Sequence, residues 1–309
     1  MKRKIFITGI GGCVGHYLFD LLVNNPEYEI YLLIRRPEKL KRDISKNPNI
    51  HVIKDDLVNI SKYKDILSQV DYLVHLAVGW GKFKTNYDYT INLFELLNPS
   101  RCQKVIYFST ASILDENNNV IEEAGKSGTS YIRGKYLFYK KLPEFAVYDR
   151  VITLFPTWVL GGDSRHPYSH ATSGLKQALN WLWLIRFFNF EVGFHFIHAQ
   201  DIALIVDYLL KNDSKEKNYV LGNKFIMAED FLARICKYFH KKIYFRIKIK
   251  PSFVKSAAAL FRIKLSDWDR FCLDKGIFKH QVVSAHDFGI KSQHSTIEDV
   301  LKDVITEGS

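Results

Sequence analysis

Cysteine is scarce in this chain. Cys13, Cys102, Cys236 and Cys272 are far apart, with no C-x-x-C pair and no adjoining histidine cluster. That spacing argues against a disulfide framework or a structural zinc site, and it fits a reducing, cytoplasmic compartment. His195, His198, His240 and His280 show no metal-ligand spacing, so no metal is expected. Long apolar runs are also missing. The nearest approach is ALNWLWLIRFFNF at 178–190, which Asn180, Arg186 and Asn189 interrupt and which is well short of the ~20 residues of a membrane span. The N-terminus, MKRKIFITGI, places positive charge before apolar residues, but its apolar run is too short for a signal peptide, so export is not expected. Acidic residues are outnumbered, 33 against 44 Lys and Arg, leaving a net charge of +11. Such an excess calls for an anionic ligand, nucleic acid or a membrane surface. No repeat or low-complexity tract is present.

What remains is ordinary globular material. Its 309 residues are 47% hydrophobic, enough to bury a core without staples and to form one large α/β unit or about two domains. Short apolar runs alternate with amphipathic stretches. Strands are expected at Lys4–Thr8, Glu29–Ile34, Ile50–Ile53, Tyr72–Ala77, Val105–Ser109 and Val151–Phe155, with a last one at Tyr219–Leu221. Helices are expected at Gly15–Asn24, Tyr131–Leu142 and Asp201–Leu210. This alternation implies a doubly wound parallel sheet, α/β in class and Rossmann-like. Residues 1–160 are expected to form a dinucleotide-binding domain, completed by a strand within 196–222, and 161–309 an interleaved substrate lobe.

Residues 8–15 read TGIGGCVG, between the first strand and the first helix. There Gly9 allows the tight turn, Gly12 lets the backbone approach a pyrophosphate and Gly15 lets helix and strand pack closely. Amides at the helix N-terminus then face the phosphates. The second strand ends in Arg35-Arg36, where an NAD enzyme carries an acid for the ribose hydroxyls. Two guanidiniums suit a 2′-phosphate, so NADP(H) is expected over NAD(H).

Tyr131 and Lys135 lie four residues apart on a helix and therefore share a face. A nearby positive charge lowers a tyrosine's pKa and fits it for acid-base work. The same spacing recurs at Tyr136/Lys140, Tyr238/Lys242 and Tyr244/Lys248. Only the first pair follows the fifth strand at a distance that brings the tyrosine to that strand's end, where FSTAS presents Ser109, Thr110 and Ser112. Thr110 is the foremost candidate to hold a substrate oxygen.

With these motifs in order, the chain resembles the extended short-chain dehydrogenases, the NAD-dependent epimerase/dehydratase family. TGxxGxxG is that superfamily's first motif. Asp56-Leu57, the HLA of His75, Leu76 and Ala77, and NYDYTINLFEL from Asn86 to Leu96 match further family segments, as do Pro156, Gly161 and FIHAQDIA from Phe196 to Ala203. The resemblance covers residues 4 to about 235. It implies Tyr131 as catalytic acid/base, Lys135 on the nicotinamide ribose and Thr110 on the substrate oxygen. It also implies cofactor contacts from Thr8, Gly9, Gly11, Gly12, Cys13, Val14, Gly15, Arg35, Arg36, Asp56, Leu57, Leu76, Ala77, Asn92, Ser109, Phe155, Pro156, Thr157 and Val159. Gly79, Ser112, Trp158, His166 and His170 are the substrate-side candidates.

The chain departs from the family pattern at several places. Arg133-Gly134 stands where many members have x-Ser, Phe155 and Gly162 replace an arginine and a proline, and Tyr89 fills a small-residue position. EVGFH, just before FIHAQDIA, has no arginine to hold a diphosphate. The missing arginines and the aromatic-rich lobe rank a ketone or aldehyde reductase slightly above a nucleotide-sugar epimerase or dehydratase, although Arg165, His166, His170 and Arg186 offer other positive charge. A non-catalytic NADP-binding sensor or scaffold is the reading from another class. The 178–190 stretch reads as a buried helix, ahead of an apolar lid or an interfacial helix. KYFHKKIYFRIKIKP, at 237–251, alternates like an edge strand from Lys242 onward. The expected partner is a small-molecule substrate; nucleic acid is not expected, membrane-surface association is possible but not favoured and a homodimer is possible.

Overall fold

Seven short apolar segments assemble into one sheet: β1 (Arg3–Thr8), β2 (Tyr28–Leu33), β3 (Ile50–Ile53), β4 (Tyr72–His75), β5 (Lys104–Phe108), β6 (Val151–Pro156) and β7 (Asn218–Leu221). The computed structural model describes residues 2–40, 47–260 and 262–305. The strand order is β7-β6-β5-β4-β1-β2-β3, parallel at every junction. Winding reverses between β1 and β4, and a ligand crevice opens beyond the carboxyl ends of the strands at such a reversal. Each expected strand is present, its ends displaced by two residues at most.

The strands read as apolar runs because both faces of the sheet are covered. Along β1 the side chains alternate. Ile5 and Ile7 join a core with Leu18, Phe19, Ile202 and Ile205, while Phe6 turns to Leu73, Phe94 and Phe138 on the other side. Full burial of each such side chain stabilises the fold by roughly 1.5–3 kcal/mol. The first core lies under α1 (Cys13–Leu22) and the second under α2 (Asp88–Glu95) and α3 (Ser130–Lys141). Thr129 caps α3 by accepting the Ile132 amide at 3.3 Å, which fixes where the Tyr131 helix begins.

Beyond β6 the chain builds α4 (His170–Leu179), α5 (Ala199–Lys211), α6 (Ala228–Tyr238), α7 (Pro251–Leu260), α8 (Asp267–Lys275) and α9 (Ile297–Ile305). Helix α5 returns to cover the sheet beside α1. A separate core gathers Leu175, Leu182, Phe196, Phe231, Ile235 and Leu301. The 178–190 stretch is not a buried helix. α4 stops at Leu179, a single turn follows at Leu182–Ile185, and Phe188–Phe190 becomes a strand paired with Ile247–Ile249. Leu182 alone of that turn is fully buried, whereas Trp181 and Trp183 stand in solvent. Among the described residues, no helix is long and apolar enough to cross a membrane.

Candidate active site

The glycine turn at the β1–α1 junction is built as the sequence requires. Gly9 has a φ of +78°, and a Cβ there would lie 2.4 Å from the Ala77 amide nitrogen. Only glycine is free of both the strain and the clash. A Cβ on Gly15 would sit 2.5 Å from the Ile10 carbonyl oxygen, so α1 approaches the strand at a distance only glycine permits. Gly12 is the N-cap and contributes no side-chain bond, which leaves the first amides of α1 open to a phosphate. Thr8, buried behind the turn, bonds His75 Nδ1 at 2.7 Å, and His75 Nε2 meets Thr90 at 3.2 Å. Burial holds His75 well below the ordinary histidine range, so this neutral ring ties β1, β4 and α2 together.

At the end of β2, Arg35 and Arg36 are both exposed. Arg35 pairs with Asp56 at 3.4 Å, while Asp56 also accepts the Val58 amide. Glycines, helix N-terminus, two guanidiniums and a carboxylate thus line one path from pyrophosphate to adenosine. They fit a dinucleotide.

At the other end of that path, β5 delivers Thr110 and α3 delivers Tyr131 and Lys135. Lys135 is buried, and its ammonium donates to the Phe108 carbonyl at 2.6 Å. Burial pulls its pKa down to about 7. Tyr131 is pushed up to about 12 by burial, while a hydrogen-bond interaction with Thr110 works the other way. The expected lowering of Tyr131 by Lys135 is therefore not what this geometry produces: the ammonium is turned to the Phe108 carbonyl, and burial dominates. Thr110 itself donates to Ser112 at 3.2 Å, so both candidate hydroxyls are linked, while Ser109 is buried beside them.

The Arg133-Gly134 departure has a local cause. A Cβ on Gly134 would lie 2.9 Å from the Asn86 Cβ. Asn86 is wholly buried and bonds both the amide and the carbonyl of Gly79, at 3.1 and 2.7 Å. That clamp shapes the loop that carries Trp80. The Trp80 ring lies 4.6 Å from the ring of Tyr131 and 4.6 Å from that of His170, at tilts of 41° and 54°. Sequence reading missed Trp80, because one aromatic in a loop leaves no periodic trace; its place between Gly79 and Gly81 was the available signal.

Not every candidate joins this group. His170 does, through Trp80. His166 instead stacks on Tyr17 at 3.9 Å, with Asp163 at 2.8 Å and Asp20 at 2.9 Å on its two nitrogens, so no ring nitrogen is left for a substrate. Trp158 faces the lobe core, 5.0 Å from Phe194 and 5.6 Å from Phe231. Phe155 is buried against Tyr139, and Thr157 is tied to Leu221 through its amide and hydroxyl. Val159 and Leu76 pack at the edge of the first core. Asn92 is half-buried on α2.

One group was invisible as spacing. His198, His294 and Asp303 offer atoms within 4.8 Å of one another, from two distant stretches of chain. Yet His198 Nδ1 accepts the Gln200 amide at 3.2 Å, which puts the ring proton on Nε2. A metal needs that nitrogen free of its proton, so His198 is not set as a ligand; its Nε2 and the His294 Nδ1 are buried without hydrogen-bond partners.

The fold and these groups define a dinucleotide-dependent enzyme of the short-chain dehydrogenase class. A family model described as the NAD dependent epimerase/dehydratase family matches residues 5–222. The chain belongs to that family. Among solved structures it is similar to gox2253, with a TM-score of 0.73 and 18% identity over 99% of this chain and 97% of that one. It is also similar to WbmG of Bordetella bronchiseptica in complex with NAD, at 0.68 and 13% over 98% and 93%. A third is UDP-glucuronic acid 4-epimerase from Bacillus cereus in complex with NAD and a sugar nucleotide, at 0.66 and 18% over 97% of each chain. A curated relative, oxidase ucsJ from Acremonium sp, is 27% identical over 78 residues, 25% of this chain and 22% of that protein. The chain thus spans about a fifth of that relative's length.

Proposed function

We propose that the protein is an NADP(H)-dependent oxidoreductase that reduces a ketone or aldehyde at a site made by Thr110, Tyr131 and Lys135. In this reading residues 1–160 with β7 hold the cofactor, and 161–309 shape the substrate side. The observation that carries it is the convergence of Thr110 and Tyr131 at the carboxyl edge of β5, roofed by Trp80. When bound, the nicotinamide supplies a hydride for the carbonyl carbon. Tyr131, held protonated by burial, gives its proton to the oxygen as negative charge develops there. Thr110 orients that oxygen. Lys135 would offer its ammonium to a ribose hydroxyl, and its pKa of about 7 lets it return a proton toward Tyr131. Arg35 and Arg36 would hold a 2′-phosphate.

The surroundings favour a carbonyl substrate over a nucleotide sugar. The UDP-glucuronic acid 4-epimerase sets the opposite expectation, and a sugar diphosphate needs fixed cations. At Gly193–His195 this chain offers none. A Cβ on Gly193 would lie 2.2 Å from the Phe225 ring, Phe194 packs on Trp158 and Phe231, and His195 bonds the Asn223 carbonyl at 2.7 Å. An apolar wall stands there. The test is titration of fluorescence with NADPH and NADH, followed by NADPH consumption against a panel of carbonyls and UDP-sugars. Turnover of a carbonyl that is lost in Tyr131→Phe, with NADPH binding kept, supports the reading. Epimerisation of a UDP-sugar without net NADPH consumption would replace it, and binding without any turnover would make the protein a sensor.

A further inference from the structure

The positive charge unaccounted for by the cofactor site is concentrated in one segment. From Lys237 to Lys264 the chain carries nine Lys and Arg and no Asp or Glu. Arg246, Lys248 and Lys255 find acidic partners in Glu229, Glu191 and Asp274. Among the described residues, Lys237, Lys241, Lys242, Lys250, Arg262 and Lys264 have no ion-pair partner.

The same segment exposes apolar side chains. Tyr244, Phe253, Leu260 and Ile263 are 61–77% exposed, and Trp181 and Trp183 nearly as much at 58% and 59%. Strand pairing draws the two segments together at one place. Phe188–Phe190 pairs with Ile247–Ile249, and the Phe187 and Phe245 rings stack 4.7 Å apart, so the tryptophan segment adjoins the basic one. Two indoles, a phenol and aliphatic tips interleaved with lysines match the headgroup–acyl boundary of a bilayer, where aromatic rings settle and lysine stems reach back to phosphate.

We propose that this face of the C-terminal lobe docks on an anionic membrane surface, with Trp181, Trp183, Phe253 and Leu260 entering the interface. The charge selects the occupant. A second copy would bring one cationic face against another, a costly pairing, whereas an anionic leaflet attracts each unpaired Lys and Arg. The sequence left membrane association unfavoured because it read 178–190 as buried helix; exposure of the two indoles removes that ground.

The experiment is co-sedimentation of the full chain with phosphatidylcholine vesicles, with or without phosphatidylglycerol, at low and high salt. Binding is expected only with phosphatidylglycerol, falling about tenfold or more at high salt. Phe253→Ser/Leu260→Ser removes side chains that stand in solvent. It should cut the vesicle partition about tenfold or more while leaving Tm unchanged. Brominated lipid should quench the wild type and lose most of that effect in Trp181→Phe/Trp183→Phe. No binding to anionic vesicles overturns the proposal, as does binding that the serine variant retains. Concentration-dependent dimers that this variant abolishes would assign the face to a second copy. Binding to polyuridylate but not to vesicles would assign it to nucleic acid.

Discussion

Lys135 and Phe108 are joined by a 2.6 Å hydrogen bond from a buried ammonium to a main-chain carbonyl at the end of β5. The lysine thereby braces the strand end that presents Thr110, while its charge is held where water does not reach. Its pKa falls from 10.5 to about 7 by burial. Between these two values the unfolded chain binds a proton that the native chain does not. The stability of the native state therefore rises as pH increases from about 7 to about 10.5, by up to ~1.4 kcal/mol per unit. Lys135→Met lacks this gain. The Tm difference between the wild type and Lys135→Met, followed from pH 7 to pH 10, should move in favour of the wild type; a constant difference refutes the assignment.

The Arg35–Asp56 pair leaves both groups half in solvent, and Arg36 beside it is exposed. Replacing both arginines by alanine should weaken NADPH binding by roughly tenfold to a hundredfold, the value of charge-assisted phosphate bonds. NADH binding should stay within about twofold, because the ribose hydroxyls do not need those charges. Calorimetric titration with both nucleotides checks this, and equal losses for the two would remove the arginines from 2′-phosphate recognition.

Gly134→Ser restores the residue that many family members carry, yet it should destabilise this chain. The helix gains the ~1 kcal/mol that glycine forgoes, but the new Cβ would lie 2.9 Å from that of Asn86. Crowding of this kind costs about 1–3 kcal/mol, and moving Asn86 loosens its grip on Gly79. Urea denaturation should show lower stability, accompanied by a raised KM from the displaced Trp80 loop. A variant as stable as the wild type would mean that Asn86 yields freely.

Acid should unfold the protein through its buried histidines. Burial lowers the pKa of His75, His195 and His280 and takes His198 to about 3. Below pH 6.5 the unfolded chain protonates these rings first, so native stability falls with pH, by up to ~1.4 kcal/mol per unit for each. Tm measured from pH 7 down to pH 5, above the range where ordinary carboxylates titrate, should drop steadily. His75→Gln should shallow the slope by about one proton. A flat profile would show these rings to be charged in the native state.

How much was legible depended on the kind of signal each element leaves. Strands covered on both faces announce themselves as apolar runs, and so β1, β4 and β5 were found to within two residues. Tyr131 and Lys135 were separable from three look-alike pairs by their position after β5. The 178–190 stretch misled because composition records hydrophobicity and not its destination. Its strand pairs with residues some sixty positions away, and its tryptophans face outward. The bond from Lys135 to Phe108, the approach of Gly134 to Asn86 and the packing of His198 on His294 all join residues distant in sequence, and no local pattern encodes them. Gly134 looked like a defect in a helix until its neighbour across the crossing was known.

Trp80 touches Tyr131 on one side and His170 on the other, so a single indole spans the seam between the Tyr131 helix and the first helix of the lobe opposite. A ligand proposed to sit between Tyr131 and His170 would have to slide beneath that ring or swing it aside. The indole is thus a built-in optical gauge of the cleft. With the other four tryptophans replaced by phenylalanine, its emission should register a bound ligand before any bond is made or broken, and should do so in Tyr131→Phe as well.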